Sequence, residues 1–277
     1  KWFGIKNTDR SALVWSEENL PNTGFEAGGF NNAWTLGQTD ANALTAIQGA
    51  NEALYVFRAR STTVILGEVT TNFSSTGTRE GVSSTIGTTA PGSVFFDGRV
   101  LLWFSADGEP MMLLPGGEPL SFYEDFRETI ADLDPTKYSE VEGFYDAVLG
   151  VSRFACQPVA PGVARSTQLV LDSQNAAAPS AVAVFDGYPI YRVGILKNAD
   201  GEPRMLHGDV NGYIYLHGTP DGTSWDDVLQ TGSLAIIHEV RLPYIGQESN
   251  EVEKHFDYLD MMFHARSALT NVTVEAT

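Results

Sequence analysis

Residues 90–114 decide the fold class, and they read Ala-Pro-Gly-Ser-Val-Phe-Phe-Asp-Gly-Arg-Val-Leu-Leu-Trp-Phe-Ser-Ala-Asp-Gly-Glu-Pro-Met-Met-Leu-Leu. Residues 178–206 repeat the same order of features: an Ala-Pro start, Phe-Asp-Gly, an aromatic and aliphatic run, Ala-Asp-Gly-Glu-Pro, and a closing Met-Leu. The first Asp-Gly turns of the two copies, at Asp97 and Asp186, lie 89 positions apart. That separation is about twice the 40–50 residues of one four-stranded propeller blade.

A strand–turn–strand unit repeated at this period predicts an all-β, β-propeller-like fold of short antiparallel four-stranded blades. The blades must stack radially, because no single blade can bury its own apolar face. We predict that residues 1–277 form one such domain, since propellers commonly exceed the usual domain size. The start at Lys1, in mid-pattern and without methionine, predicts that the N-terminal part of the domain is missing. A plain β-sandwich is the alternative fold.

Short apolar runs bounded by Gly, Ser and Asp predict the individual strands. The clearest are residues 53–57 and 62–66, which we expect to pair as a hairpin. The Asp-Gly pair at 97–98 predicts another hairpin, because Asp-Gly readily adopts the positive φ angles of a type I′ turn. Residues 19–43 and 70–92 are rich in Asn, Gly, Ser and Thr, and we expect mostly irregular connections there.

The segment 118–150 departs from the β pattern and predicts a small helical insertion. Its apolar residues follow helical spacing, with acidic residues on the opposite side: Phe122, Phe126, Ile130 and Leu133. Asp134-Pro135 predicts the end of this helix. Residues 138–149 are expected to form a second short helix.

The charge balance is strongly acidic, with 35 Asp and Glu against 17 Lys and Arg and a formal net charge of −18. Such a surface does not bind a phosphate backbone by counterion release. It suits either a solvated exterior or a surface past which DNA slides without binding, because like charges repel at short range. No stretch approaches ~18 uncharged apolar residues, so we predict no membrane insertion.

Residue types that carry catalysis or bind metals lack a recognisable arrangement in this sequence. The single cysteine, Cys156, excludes an internal disulfide and is expected to be a small buried hydrophobe. No histidine pair has a compact metal-binding spacing, and cross-strand packing accounts for His207 and His217 on consecutive predicted strands. Residues 209–212 begin like a calcium loop but lack its glycine and its closing glutamate. We therefore predict no catalytic residue, no cofactor and no metal.

Residues 219–225, Thr-Pro-Asp-Gly-Thr-Ser-Trp, are the motif closest to an enzyme signature. They are similar to the Ser-x-Asp-x-Gly-x-Thr-Trp turn of sialidase-like propellers, but the spacer between Asp and Gly is absent. A sialidase also needs a tyrosine nucleophile and arginines that clamp a carboxylate. Because the arginines here are scattered through the sequence, a glycosidase is the least favoured function.

Several segments resemble one known family. They are Trp-Phe-Gly at 2–4, Val-Trp-Ser at 14–16, Ser-Ser-Thr-Ile-Gly at 83–87, and Gly-Asp-Val-Asn-Gly-Tyr-Ile-Tyr at 208–215. Together they resemble the propeller-bearing tail proteins of tailed bacteriophages. The resemblance covers most of residues 1–275 and consists of turns and aromatic residues rather than a catalytic signature.

This family includes tail nozzle, tail hub and DNA-stabilising head-completion proteins. The resemblance implies a homo-oligomeric ring, commonly a hexamer, that docks on other tail, adaptor or portal proteins of the virion. It also implies that DNA passes the lumen without specific binding, and it implies no cofactor and no active site. We therefore expect a non-enzymatic virion protein of the phage tail or neck. We expect the acidic stretch Glu118 to Glu142 on the lumen or on an inter-subunit face.

A β-propeller module that binds glycan or protein at a cell surface is the alternative function. Exposed aromatic side chains on one face would favour it. The candidates are Trp34, Trp103 and Trp225, each of which could instead belong to the core.

Overall fold

A computed structural model gives the fold, and the residues it describes are 3–6, 9–15, 32–36, 43–67, 78–147, 150–159, 165–173, 180–186, 190–197, 201, 203–208, 214–217 and 239–241. All of them belong to one compact unit, Lys1–Pro243, whereas the second unit, Tyr244–Thr277, lies outside the described residues. Within the described ranges, no helix combines the length and the apolar character needed to cross a bilayer.

The described residues are mostly β-strands. In chain order, strands β1 to β19 are Phe3–Ile5, Ala12–Trp15, Asn32–Thr35, Leu44–Ala50, Ala53–Arg58, Thr62–Leu66, Thr78–Ser83, Phe95–Phe96, Leu101–Phe104, Pro110–Leu113, Pro119–Ser121, Glu142–Asp146, Val151–Cys156, Thr167–Asp172, Ser180–Asp186, Arg192–Lys197, Pro203–Gly208, Ile214–His217 and Glu239–Arg241. The α-helix α1 spans Tyr123–Ala131, and 3-10 helices span Pro91–Ser93 and Pro135–Glu140.

The strands form small antiparallel sheets, each built from strands that follow one another in the chain. The first sheet contains β1 to β3, the second β4 to β7, and the third β8 to β11. The fourth contains β12 to β15 with β19 added beside β15, and the fifth contains β16 to β18. The predicted mostly-β fold of several small antiparallel sheets is confirmed, although these sheets have three to five strands rather than a uniform four.

Successive sheets pack face to face. In β5, Leu54 and Val56 pack against the first sheet, whereas Tyr55 and Phe57 pack against the third sheet around Trp103. Alternate residues of a strand point to opposite faces, so the second sheet is buried on both sides.

The third sheet is buried on both faces in the same way. The whole of β9, Leu101–Phe104, is buried. Leu102 and Phe104 pack against Phe154 and Leu169 of the fourth sheet, in a cluster that also includes α1 side chains. Fully burying one such aliphatic or aromatic side chain contributes about 1.5–3 kcal/mol, so these layers are the main source of stability.

The first strands of consecutive sheets lie against one another: β1 contacts β4, β4 contacts β8, and β8 contacts β12. Gly143 in β12 marks the closest approach. A Cβ at this position would overlap the carbonyl oxygen of Ser93 and lie 2.7 Å from Cδ1 of Phe95. The close packing of β12 against the residues before and within β8 therefore requires a glycine at position 143.

The sequence repeat corresponds to one hairpin that recurs two sheets later. Residues 105–109 join β9 to β10 in the third sheet, and residues 198–202 lie between β16 and β17 in the fifth. Gly108 and Gly201 hold similar positive φ angles of 92° and 82°. The fourth sheet separates the two hairpins in the chain, so the spacing of this hairpin covers two sheets, as predicted. The predicted equivalence of the turns at Asp97 and Asp186 is wrong, because β8 and β9 pair across Asp97 within one sheet, whereas β15, which ends at Asp186, pairs with β14 and β19 and lies in a different sheet from β16.

The hairpin predicted at Asp97 forms, but its turn is not of type I′. That turn requires positive φ at both central residues, and only Gly98, at 99°, has one. Instead, Asp97 Oδ1 accepts hydrogen bonds from the backbone N–H groups of Arg99 and Val100 at 2.8 Å, and this side chain holds the turn.

The first predicted helix is confirmed and the second is wrong. Helix α1 buries Phe126 and Ile130, as the spacing predicts. Within residues 138–147, the part of this segment that the structure describes, no α-helix forms, because a 3-10 helix ends at Glu140 and β12 follows. Residues of β12 are buried in alternation, which is the period of a strand and not of a helix.

Two strands lie in segments predicted to be irregular. Asn32–Thr35 falls within residues 19–43, and Thr78–Ser83 falls within residues 70–92. Both lie at the edge of a sheet, and four residues at the start of the second strand are exposed. Because these edge strands are held by backbone pairing, they need no alternation of apolar and polar residues, and the sequence gives no strand signal there.

We expect Gly143→Ala to lower the free energy of unfolding by about 1–3 kcal/mol, because the added methyl group overpacks the contact between first strands. Gly49→Ala is the matched control, since Gly49 is in the first strand of the second sheet and a Cβ there meets nothing within 4 Å. Urea unfolding of both variants measures the difference. Equal destabilisation would contradict close packing of β12 against β8.

Candidate functional site

The layer between the fourth and fifth sheets contains most of the buried charged side chains of the described residues. Its apolar part consists of Phe144, Ala155, Ile190 and Met205, with Val193 at the margin. Around it lie charged side chains that are almost fully buried: Glu142, Asp146, Arg153 and Arg165.

The deepest charges form an ion pair within the fourth sheet. Arg153 Nη2 lies 2.6 Å from Asp146 Oδ2, and the two side chains are 5% and 0% exposed. Arg153 Nη1 also donates a hydrogen bond of 3.0 Å to Gln168 Oε1 on the next strand. A buried pair of this kind offsets its desolvation only with good geometry and further hydrogen bonds, and the bond to Gln168 supplies one such hydrogen bond.

A second ion pair crosses from the fourth sheet to the fifth. Arg192, at the start of β16, donates a hydrogen bond to Glu142 Oε2 in β12. The Glu142 side chain is 12% exposed, whereas that of Arg192 is 61% exposed. Burial raises the pKa of Glu142, and the positive charges of Arg192 and Arg165 only partly oppose this shift. A side chain at Gly92 would overlap this pair, so the turn before β8 closes over it.

Arg165 makes a second connection between the two sheets. It precedes β14, has a positive φ of 54° and is buried. Its Nη1 donates a 2.5 Å hydrogen bond to the carbonyl oxygen of Tyr191, and its guanidinium carbon lies 4.4 Å from the centre of the Tyr191 ring. The Ile190 N–H in turn donates to the Arg165 carbonyl oxygen at 3.2 Å. Burial lowers the pKa of Arg165.

The charged side chains of this layer can hold the fourth and fifth sheets together by electrostatic interactions. Both of its carboxylates, Glu142 and Asp146, are paired with arginines, so neither is placed as a free proton acceptor. Within the part of the chain that the structure describes, no three His, Cys, Asp or Glu side chains lie close enough to hold a metal ion.

The sequence-based candidates fall outside this layer or contribute little to it. Cys156 is buried as predicted, and burial raises the pKa of its thiol. His207 in β17 is buried and is paired in backbone register with Tyr215, while His217 is paired with Met205. The calcium-like and sialidase-like segments, 209–212 and 219–225, lie outside the described residues.

The predicted acidic stretch divides into two parts. Glu124, Asp125 and Glu128 are exposed on α1, where the first two lie in the first turn and stabilise the positive end of the helix dipole. Glu142, at the end of the stretch, is instead buried in the layer and paired with Arg192. The expectation that the whole of 118–142 forms one acidic surface is therefore wrong at its C-terminal end.

The aromatic candidates for glycan binding are not placed alike. Trp103 is fully buried, with its ring centre 5.4 Å from that of Phe57. Trp34 is half-buried against the core between the first and second sheets. Trp225 lies outside the described residues.

The charged layer was not predicted from the sequence. The available signal was Glu142-x-Phe144-x-Asp146, an alternation that places two carboxylates on one face of a strand, followed by Arg153 on the next strand. Assigning residues 138–149 to a helix concealed that alternation. The arginines that complete the layer lie 12 and 39 positions after Arg153 in sequence, at Arg165 and Arg192.

The chain matches no protein-family model and no curated protein.

Glu142→Gln should change how stability depends on pH. Because the pKa of Glu142 is raised in the folded state, the folded protein binds this proton more tightly than the unfolded chain. The stabilisation is present in acid, below the pKa of an unfolded glutamate, and is lost as the pH rises through the raised pKa. Relative to Glu142→Gln, the wild-type protein is therefore expected to lose stability as the pH rises from below the pKa of an unfolded glutamate to above the raised pKa of Glu142.

Urea unfolding of both proteins across this pH range measures the effect. Other titrating groups contribute equally to the two proteins, so the difference between the curves isolates Glu142. Parallel curves, or a wild type that gains stability relative to the variant as the pH rises, would contradict the burial-dominated shift.

Proposed function

We propose that this chain is a structural virion protein of a tailed phage, a ring component of the tail or neck. The observation that supports this most is the stacking order of the sheets. Sheets two to five each pack on the sheet that precedes them in the chain, and in the first four sheets the first strands meet. This is the arrangement expected of propeller blades around an axis.

The propeller-like body would serve as a rigid scaffold. Burial of both faces of the inner sheets leaves their edges and the connecting turns to form the outer surface, where neighbouring subunits and other tail proteins would dock. The resemblance of the turns and aromatic residues to phage tail proteins supports the same role. In a cyclic ring, each subunit would present one surface to a different surface of the next.

The acidic charge supports passage of DNA without binding. With a net charge of −18, the surface repels a phosphate backbone and releases no counterions from it. We place the exposed α1 carboxylates Glu124, Asp125 and Glu128 on the lumen or on an inter-subunit face. They form the exposed acidic face of a helix that packs against the fourth sheet.

Light scattering on the purified chain tests the ring. One copy has a mass of 30.1 kDa. A closed ring of about six copies would give a mass six times larger and a concentration-independent peak. A monomer at all concentrations would count against a self-assembling ring and in favour of a β-propeller binding module, for which glycan arrays are the next measurement.

Reversing the charge of the α1 carboxylates tests their role. In the triple variant Glu124→Lys, Asp125→Lys and Glu128→Lys, we expect either a loss of the ring mass or new binding to duplex DNA at low salt. The first result would place α1 between subunits and the second would place it on the lumen. Both follow because lysines reverse the local field.

Glu52→Lys with Glu80→Lys is the control, since both residues are exposed and lie outside α1. Circular dichroism must show that α1 persists, because Lys in the first turn costs about 0.3–1 kcal/mol through the helix dipole. An unchanged mass and no DNA binding in the triple variant would contradict either placement.

A further inference from the structure

We propose that Arg79 and Glu80 keep the outer edge of the second sheet from pairing with a second copy of this chain. That edge is strand β7, Thr78–Ser83, and both charges lie in its exposed part. The second sheet alone carries this inference, which does not depend on the proposed phage function.

Strand β7 is the outermost strand of the second sheet. Within the described residues, the order β4-β5-β6-β7 places β6 on one side of it and no strand on the other. Its first four residues, Thr78 to Gly81, are exposed. Because a glycine has only backbone atoms, the exposure of Gly81 is exposure of the backbone itself. Another strand can therefore reach the outward-pointing N–H and C=O groups of this edge.

The outer strand of the third sheet has protection that β7 lacks. Strand β11 has three residues and begins with Pro119, which has no N–H group to donate. Strand β7 has six residues and no proline. Short length and proline are two of the features that keep sheet edges from pairing with other chains, and charged side chains are a third. At β7 the charges are the feature that remains.

The regular part of this edge is the part that carries the charges. The pairing of β7 with β6 shifts register between Thr62 and Thr63, which lie opposite Ser83 and Gly81. Val82 is therefore the extra residue of a bulge, and a bulge twists an edge away from further pairing. An added strand would pair with residues 78–81.

The two charges lie on opposite faces of the second sheet. In the pairing with β6, Arg79 lies opposite Ile65 and Glu80 lies opposite Val64. Ile65 packs towards the first sheet and Val64 towards the third. A strand added to β7 would thus meet a positive charge on one face and a negative charge on the other.

A second copy can pair with the regular part of this edge only by bringing like charges together. In a two-fold pair of identical antiparallel strands, outward-pointing backbone groups alternate, so one residue must lie opposite its own copy. The registers that use most of residues 78–81 are centred on Arg79 or Glu80. Each opposes two like charges directly and leaves the other like pair about 7–8 Å apart on the other face. Both arrangements are destabilising.

Replacement of both charges by valine tests this role. Arg79→Val with Glu80→Val leaves the net charge unchanged and gives the edge residues that favour strands. We expect association beyond the wild-type mass that is about 10-fold tighter than any association of the wild type, because opposed valines replace opposed like charges. Sedimentation across a concentration series measures this, and the infrared band of intermolecular β-sheet identifies strand pairing.

Arg60→Val with Glu118→Val is the matched control. Both residues are exposed in connections between strands, and the pair undergoes the same change of charge and of apolar side chains. This control should associate no more than the wild type. Equal association of the two double variants would overturn the proposal, because exposed valines would then act without the edge.

A mixture of charge-reversed variants tests whether opposed charges are the cause. Arg79→Glu makes both positions acidic, and Glu80→Arg makes both basic. Each variant alone should associate no more than the wild type, since its edge repels its own copy at both positions. In an equal mixture they should associate, because both central registers then oppose unlike charges, and salt at about 1 M should weaken the complex.

The proposal is overturned if the mixture does not associate, or if either charge-reversed variant alone associates as tightly as the mixture. It is also overturned if the valine variant of β7 stays at the wild-type mass while circular dichroism and urea unfolding show the wild-type fold. Should that variant fold poorly, the mixture decides, because its members keep charged residues at both exposed positions.

Discussion

Burial of both faces of the inner sheets is the constraint on which the rest of the structure depends. A sheet that is covered on one side only can alternate apolar and polar residues, but a sheet between two others cannot. This is why Leu101–Phe104 is apolar at four successive positions, and why the second sheet sends Leu54 and Phe57 into different layers. Each sheet needs its neighbours to form a core, so the order of sheets follows the order of the chain.

The fourth sheet satisfies this constraint on one face only. Towards the third sheet it presents Phe154 and Leu169, and towards the fifth it presents Glu142 and Arg153 with a small apolar cluster. Well-packed apolar residues in place of a buried ion pair are often more stabilising, so the charged face is a poor choice for stability alone. Charges do fix the alignment of two surfaces, because an arginine and a carboxylate must meet while apolar surfaces can slide. The docking of the fifth sheet therefore trades strength for a defined position.

The fold could be predicted from sequence where the signal was local. The repeat placed one turn correctly in each copy, because Gly108 and Gly201 need positive φ and glycine supplies it at little cost. It wrongly equated the turn at Asp97 with Asp186, after which the chain passes from the fourth sheet to the fifth. Strand Thr78–Ser83 was missed because an edge strand is held by backbone pairing and needs no apolar alternation. Residues 138–149 were assigned to a helix because acidic residues on a solvated helix and on a strand that buries ion pairs look alike in sequence. The charged layer was missed because its members are distant in the chain, and only the pairing of β12 with β13 brings Asp146 to Arg153.

The return of β19 to the fourth sheet bears on how far the propeller description extends. In a regular propeller the chain moves on from each blade, whereas here it comes back to pair β19 with β15 after the fifth sheet. That pairing ties the two ends of the excursion together, and it moves the outer edge of the fourth sheet from β15 to β19, a strand of three residues. A short edge strand offers few unpaired backbone groups to another chain. Contacts between subunits at this sheet would therefore come mainly from side chains and turns, so their specificity would depend on charge and shape.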